Sequence, residues 1–421
     1  MEEKMYQTCL NILREELIPA FGCTEPIAIA YAAAVGRKVL GRIPEKMTAR
    51  CSGNIVKNVK GVVVPATDGL KGIEAAALVG AVGGDPDAGL ETLHHITQAD
   101  RAQVRALLES SVCKTELLPS KEKLHVLLEM EAAGDHVLVE LCRTHTGIIR
   151  VEKNGKTLYH QTLAEDKQER TDSSTLNFQT IWAFAQCVKP EDVQELLERQ
   201  ISYNTKIAEY GLSHPYGAGI GPTLISVYGR DIKVLARALP AAGSDARMGG
   251  CEMPVVVNSG SGNQGMTVSL PVIAYAKELN SSREQLYRAL CISNLTAIYQ
   301  KSQIGRLSAY CGAVSAAAGA GAGIAYLLGG TAEQTAQVVS NTLANVSGIL
   351  CDGAKASCAA KIASSVEAAL LAVELTFHGQ GFPAGEGVIQ PCPDETVEKV
   401  ATIAREGMAA TDDVILKVMV G

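Results

Sequence analysis

From about residue 176 onward the chain is a succession of apolar runs dominated by alanine and glycine, and this limits its core to closely packed helices. Aromatic residues make up only 4% of the sequence, while glycine occurs 40 times. Ala, Val, Ile and Leu must therefore fill the interior, with small residues letting helix backbones approach. Three of the cysteines in this half stand out: Cys311, and the pair that brackets Cys351-Asp352-Gly353-Ala354-Lys355-Ala356-Ser357-Cys358. Three thiolates can hold three irons of a 4Fe–4S cluster and leave the fourth open. An iron with an open position is a Lewis acid that grips a substrate directly. An electron carrier would normally close its cluster with four thiolates, so this pattern points to an enzyme. The plainer reading is three buried thiols packing as small hydrophobes. Zinc finds only His378 nearby.

At 421 residues the chain calls for two or three domains. Hydrophobic residues at 47% and charged residues at 20% describe a globular protein. A net charge of −7, with no basic run interleaved with aromatics, gives no footprint for nucleic acid. The polar, acidic start Met1-Glu2-Glu3-Lys4-Met5-Tyr6 is no signal peptide. The apolar run Val314 to Leu328 is short and holds three glycines, which fits a buried helix and not a membrane span. Twelve cysteines in a chain of this length do not form a small secreted disulfide framework. A cytoplasmic location with reduced thiols, some of them metal ligands, is expected.

The expected fold class is α+β. Residues 3–18 read as an amphipathic helix, broken at Phe21-Gly22-Cys23-Thr24-Glu25-Pro26. Ile27 to Leu40 forms a second helix, with Thr24 as its cap and Glu25 and Pro26 in its first turn. Val62 to Val64 reads as a buried strand; Ile73 to Val82 and Ala88 to Leu93 read as helical. Residues 113–162 alternate and form a small, largely antiparallel sheet, with Asn154-Gly155 as a hairpin turn. Residues 163–175 are a solvated linker. The division expected is an N-terminal α/β region, 1–175, carrying Cys23 and the sheet, and a mainly helical cluster-binding catalytic domain, 176–421. The small-residue helices suggest a homodimer.

Further residues invite chemistry. Cys23 precedes a helix start, which should lower its pKa and suit it as base, nucleophile or fourth ligand; a buried structural thiol is the alternative. The loop Asn258-Ser259-Gly260-Ser261-Gly262-Asn263-Gln264-Gly265 precedes an apolar helix and offers backbone N–H groups to an anion, with a carboxylate the expected occupant and positive φ expected at Gly262. Gly260, Gly262 and Gly265 also match G-x-G-x-x-G, but no second strand ending in an acidic residue follows. Ser52, Asn54, Lys57 and Asn58 form a second polar cluster, read either as a site or as a turn. Arg247 can hold a carboxylate bidentately or make a surface ion pair. Lys301 and Lys355 lack the phosphate cup that pyridoxal phosphate needs.

Taken together, Gly22-Cys23-Thr24-Glu25-Pro26, Ser52-Gly53-Asn54-Ile55-Val56-Lys57-Asn58-Val59-Lys60, Gly69-Leu70-Lys71-Gly72-Ile73-Glu74-Ala75-Ala76, Asp245-Ala246-Arg247-Met248, the 258–265 loop, Leu307-Ser308-Ala309-Tyr310-Cys311-Gly312 and the 351–358 run resemble the L-cysteine desulfidase family. That family is related to the alpha subunit of iron–sulfur L-serine dehydratase. The resemblance spans residues 22–358. It implies a 4Fe–4S lyase without pyridoxal phosphate, converting L-cysteine to pyruvate, ammonia and hydrogen sulfide. Cys311, Cys351 and Cys358 match the cluster ligands, and Cys23 matches the proposed catalytic thiol. The dehydratases usually carry a C-terminal cysteine that caps the open iron; here the last residues are Val414-Ile415-Leu416-Lys417-Val418-Met419-Val420-Gly421. The second and third ligands also lie closer together than in the dehydratases. Both departures favour L-cysteine, with L-serine dehydration the alternative and a non-catalytic iron–sulfur sensor a third reading. The substrate carboxylate is expected at Ser259, Ser261, Gly262 and Asn263, with Arg247, or with Ser52, Asn54 and Lys57.

Overall fold

Two apolar periodicities divide the chain, and they give an α+β architecture. A computed structural model describes residues 1–162, 171–305 and 307–420, so residues 163–170 of the expected linker lie outside the described residues. Helix α1 (Glu3–Glu16) buries Tyr6, Cys9, Leu10, Ile12 and Leu13 along one face. A short strand β1 (Pro19–Phe21) follows, then α2 (Thr24–Leu40). Next come β2 (Lys46–Cys51), α3 (Gly53–Val59), α4 (Ile73–Gly83), α5 (Gln98–Glu109), β3 (Cys113–Leu117), β4 (His125–Ala132), β5 (Asp135–Cys142), β6 (Ile148–Lys153) and β7 (Lys156–His160).

Six of these strands form one sheet in the order β3-β2-β4-β5-β6-β7. All neighbours are antiparallel except β2 and β3. In β4 every second residue is buried, so one face lies on a core and the other meets solvent. Helices α2 and α4 cover the buried face, packing Ile29, Ala33 and Leu78 with Met47, Leu128 and Val139. Asn154 and Gly155 take φ of 53° and 76°, the paired positive values of a tight hairpin turn.

Two expectations are corrected. Val62 and Val64 are buried and Val63 is half-buried, but the run makes only one bridge, Val63 to Lys71, because Pro65 ends it after three residues. Ala88 to Leu93 holds only a single 3-10 turn at Gly89–Glu91, where Gly89 sits at φ 53°.

The remainder is helical: α6 (Phe178–Cys187), α7 (Pro190–Ser213), α8 (Ile220–Tyr228), α9 (Ile232–Met248), the short strand β8 (Pro254–Val256), α10 (Gly262–Glu278), α11 (Arg283–Ile304), α12 (Gly312–Leu327), α13 (Ala332–Val346), α14 (Ser357–Phe377), α15 (Pro393–Thr402) and α16 (Ala409–Val420). Helix α12 is the hub, enclosed by α10, α11, α13 and α14 and buried from Ala313 to Ala325. A methyl group added at Gly319 would stand 2.5 Å from the Ser293 carbonyl oxygen of α11, so this crossing needs glycine. Among the described residues no helix is long and apolar enough to cross a membrane.

Three links place the start and end of the chain around one site. The apolar face of α1 joins the helical core. Strand β1 pairs antiparallel with β8, Pro19 opposite Val256. Helix α16 packs on α3.

Candidate active site

The starts of four helices meet at one cavity, with about 760 Å³ of empty space including its open mouth. Cys23 and Cys311 are the N-cap residues of α2 and α12. Ser261 caps α10 by accepting from the Gln264 N–H, and Cys358 lies in the first turn of α14. Asn54, Lys57 and Asn58 of α3 and Arg247 of α9 complete the wall, together with Glu25, Asn263, Gln264, Tyr310 and Cys351. Converging helix N-termini give the cavity a partial positive potential suited to thiolates and a carboxylate.

The three cysteines of the sequence expectation come together here. Cys311 N–H donates to Ile349 O (3.1 Å) and Cys351 N–H to Ala309 O (2.7 Å), around a bridge between Tyr310 and Leu350. This miniature ladder sets two cysteines distant in sequence side by side. All three thiols are unbridged and partly exposed to the cavity. Burial, then the neighbouring Cys351 and Cys358 charges, push the Cys311 thiol up to about 12. Burial also raises Cys358, against a backbone hydrogen bond from Lys355. Thiolates gathered in this way repel one another until cations neutralise them. Lys361 supplies one positive charge: it donates to Leu350 O at 2.8 Å, pairs with Asp352 and interacts with Cys311 and Cys358. Burial would raise the Asp352 carboxyl, but hydrogen bonds from Lys355 and Lys361 outweigh it and hold it at about 2.

Among the described residues no three His, Cys, Asp or Glu side chains form a group that could hold a metal ion. A cubane takes one thiolate on each of three irons, so its ligands stand apart around a cavity instead of meeting at one ion. The donor set, three thiols gathered on one cavity with a lysine beside two of them, fits that group.

The expectation of a lowered Cys23 pKa is overturned. Cys23 is 2% exposed, and its burial, followed by the Glu25 charge, pushes the thiol well above its ordinary range despite Arg247. Complete desolvation outweighs a helix terminus. The thiol donates to Glu25 Oε2 at 3.4 Å. Thr24 does not cap α2; its hydroxyl lies 3.0 Å from Glu25 Oε2 and 3.2 Å from Gly260 O.

The remaining expected residues divide. Arg247, 2% exposed, donates from Nε to Gly22 O (3.0 Å) and from Nη1 to Asn263 Oδ1 (3.3 Å). It makes no surface ion pair; among the described residues no carboxylate pairs with it. Lys57 reaches Asp412 Oδ1 at 2.5 Å and Cys351 O at 3.3 Å. Asn54, Ser261 and Asn263 line the cavity, whereas Ser52 and Ser259 do not. The Ser52 hydroxyl donates to Lys123 O (2.7 Å), and that of Ser259 to Asn258 Oδ1 (2.9 Å).

The loop itself is a closed turn. Ser259 and Gly260 have φ of 51° and 78°, and Asn258 and Ser261 exchange both backbone hydrogen bonds. Gly262 is not among the positive-φ residues. Its requirement is space: an added Cβ would stand 2.4 Å from Arg247 Nε. With a two-stranded β1–β8 ladder beside the loop, the G-x-G-x-x-G match has no dinucleotide-binding sheet around it.

Glu25, Gln264, Tyr310 and Asp412 were not singled out from sequence as site residues. Glu25, Gln264 and Tyr310 stand inside the quoted motifs, but only the fold turns them toward one cavity.

A model of the serine dehydratase alpha chain family matches residues 87–417. The chain is 55% identical over 415 residues to a UPF0597 protein of Lachnoclostridium phytofermentans, covering 99% of this chain and 100% of that one. It is 47% identical over 419 residues to a UPF0597 protein of Desulfitobacterium hafniense, covering 99% and 97%. A UPF0597 protein of Treponema denticola is 44% identical over 426 residues, covering 100% and 99%. With cysteines, arginine and helix starts meeting at one cavity within a match of this extent, the chain belongs to the serine dehydratase alpha chain family, whose members are iron–sulfur lyases.

Proposed function

We propose that the protein is a 4Fe–4S-dependent, pyridoxal-phosphate-independent lyase that converts L-cysteine and water to pyruvate, ammonia and hydrogen sulfide. Cys311, Cys351 and Cys358 are the cluster ligands in this reading. The observation that carries it is the presence on one cavity wall of these three thiols, Cys23 and an arginine that has no carboxylate partner among the described residues. The motif resemblance supports L-cysteine as substrate.

When bound, the cluster supplies a Lewis acid that improves the leaving group on Cβ. The chain's own residues supply the rest. Arg247, fixed by Gly22 O and Asn263, receives the substrate carboxylate through its remaining donors. Ser261 and the first turn of α10 add neutral donors beside it. Cys23 takes the α-proton once its own proton has passed to Glu25, the carboxylate it already faces. Loss of the α-proton and of the β-substituent leaves aminoacrylate, which tautomerises and hydrolyses to pyruvate and ammonia. Positioning matters because the α-proton of an amino acid is only weakly acidic.

Dehydration of L-serine is the second reading, favoured by the matching family description. Steady-state rates of anaerobically reconstituted protein on both amino acids separate the two. A higher kcat/KM on L-cysteine is expected; a higher value on L-serine would assign the dehydratase.

A further inference from the structure

An amino acid brings two charged groups into the cavity, and Arg247 answers only the carboxylate. The α-ammonium carries three N–H donors and needs acceptors. Glu25 is the only carboxylate among the described residues lining the cavity. Its oxygens are already engaged by Asn58 Nδ2 (3.1 Å), Thr24 Oγ1 (3.0 Å) and Cys23 Sγ (3.4 Å). Among the described residues three other oxygens on the cavity wall are not engaged, the Tyr310 hydroxyl and two amide oxygens. Gln264 Oε1 and Asn54 Oδ1 are both buried and have no hydrogen-bond partner among the described residues, and both side chains belong to the cavity wall. Buried amide oxygens are seldom left unpaired, so two on one cavity are informative.

Gln264 is also built into place. It is 6% exposed, its N–H is capped by Ser261, and its amide lies directly over Gly312. A Cβ at Gly312 would stand 2.5 Å from Gln264 Cδ, so the residue after Cys311 leaves room for this amide. The acceptor therefore sits next to a proposed cluster ligand, on the same helix start as Ser261 and one residue from Asn263, the partner of Arg247.

We infer that the amide oxygens of Gln264 and Asn54 receive the α-ammonium of the substrate and restrict the site to amino acids over acids that lack the amino group. The inference rests on the lyase reading and deepens it. Arg247 and Asn263 hold one end of the zwitterion; Gln264 and Asn54 hold the other. Together they fix the Cα–H bond against Cys23. Neutral amides suit this role, because they reward N–H donors without bringing a second carboxylate to repel the first.

The test is calorimetric binding of L-alanine and of propionate to the reconstituted holoenzyme under anaerobic conditions. L-Alanine has both charged groups but no β-leaving group, and propionate lacks the amine. The wild-type protein should prefer L-alanine. Gln264→Met should cut that preference at least tenfold through weaker L-alanine binding, with propionate unchanged. Asn54→Leu, at a less buried position, should narrow it in the same direction and serves if Gln264→Met fails to fold. An absent preference in the wild type, or an undiminished one in folded, iron-loaded variants, overturns the inference. Pyruvate release from L-cysteine and L-serine is measured in parallel. A wild type that prefers L-alanine but makes no pyruvate removes the lyase reading and keeps the ammonium site. A wild type that makes pyruvate but whose variants keep the preference does the reverse.

Discussion

Lys57 Nζ lies 2.5 Å from Asp412 Oδ1, with the two side chains 2% and 9% exposed. The pair joins α3, which carries Asn54 and Asn58 to the cavity, to α16 at the far end of the chain. Lys57 also donates to the carbonyl of Cys351. One buried ammonium thus ties the C-terminal helix to the cysteine loop.

Asp412→Ala should strand that buried charge. Removing one member of a buried ion pair costs roughly 3–5 kcal/mol. Asp412→Asn keeps an acceptor and should cost less. Chemical denaturation of the two variants checks the order; equal and negligible losses would show that Lys57 is not held this way.

Cys351→Ser should lose most of its iron and its brown absorbance while the chain stays folded. Cys187→Ser, at an exposed thiol away from the cavity, is the control and should keep both. Full iron retention in each of the Cys311, Cys351 and Cys358 single variants would remove the ligand assignment.

Cys23→Ala should keep iron near the parent level and lose pyruvate formation by about 10²–10⁴, the usual contribution of a general base. Parent-like turnover would exclude Cys23 from proton transfer.

Gly262→Ala should act on Arg247 and not on the cluster, because the new methyl collides with the guanidinium. KM for L-cysteine should rise with iron content unchanged. The parent's preference for L-cysteine over cysteinamide should fall as the carboxylate partner is displaced. An intact preference would place the carboxylate elsewhere.

Tyr6 offers a prediction outside the site. Its hydroxyl donates to Asp192 Oδ2 at 2.5 Å, tying α1 to α7. Burial, then that hydrogen bond, push the phenol up to about 12. A folded-state pKa above the unfolded value of about 10 stabilises the protein below pH 10 and loses that effect as pH rises toward 12. Tyr6→Phe should therefore cost roughly 1–3 kcal/mol at pH 8, and its deficit should shrink at pH 11 and above. A pH-independent deficit would mean that the lost contact is apolar.

Elements with a strong local signal were legible in the sequence. The amphipathic face of α1, the Asn154-Gly155 hairpin and the small-residue helices each follow from period or turn chemistry. Strand β2 was not, because Lys46 to Cys51 pairs with strands more than sixty residues away. Val62 to Val64 misled because an apolar run reports burial, which is true there, and not strand pairing. Arg247 and Asn54 were legible as polar groups inside motifs. The state of Cys23 was not: its desolvation comes from Val62, Met248 and the 354–358 segment, all remote in sequence. The closed turn at Ser259 and Gly260 likewise depends on how Asn258 and Ser261 pair, which glycine content alone does not reveal.

The most direct measurement is paired release of pyruvate and sulfide from L-cysteine by the anaerobically reconstituted protein, with iron counted on the same sample. About four irons per chain, with pyruvate and sulfide formed in equal amounts and neither formed by the iron-free protein, is the predicted result. A full complement of iron with no pyruvate from L-cysteine or L-serine would contradict the lyase and leave an iron–sulfur protein without this chemistry.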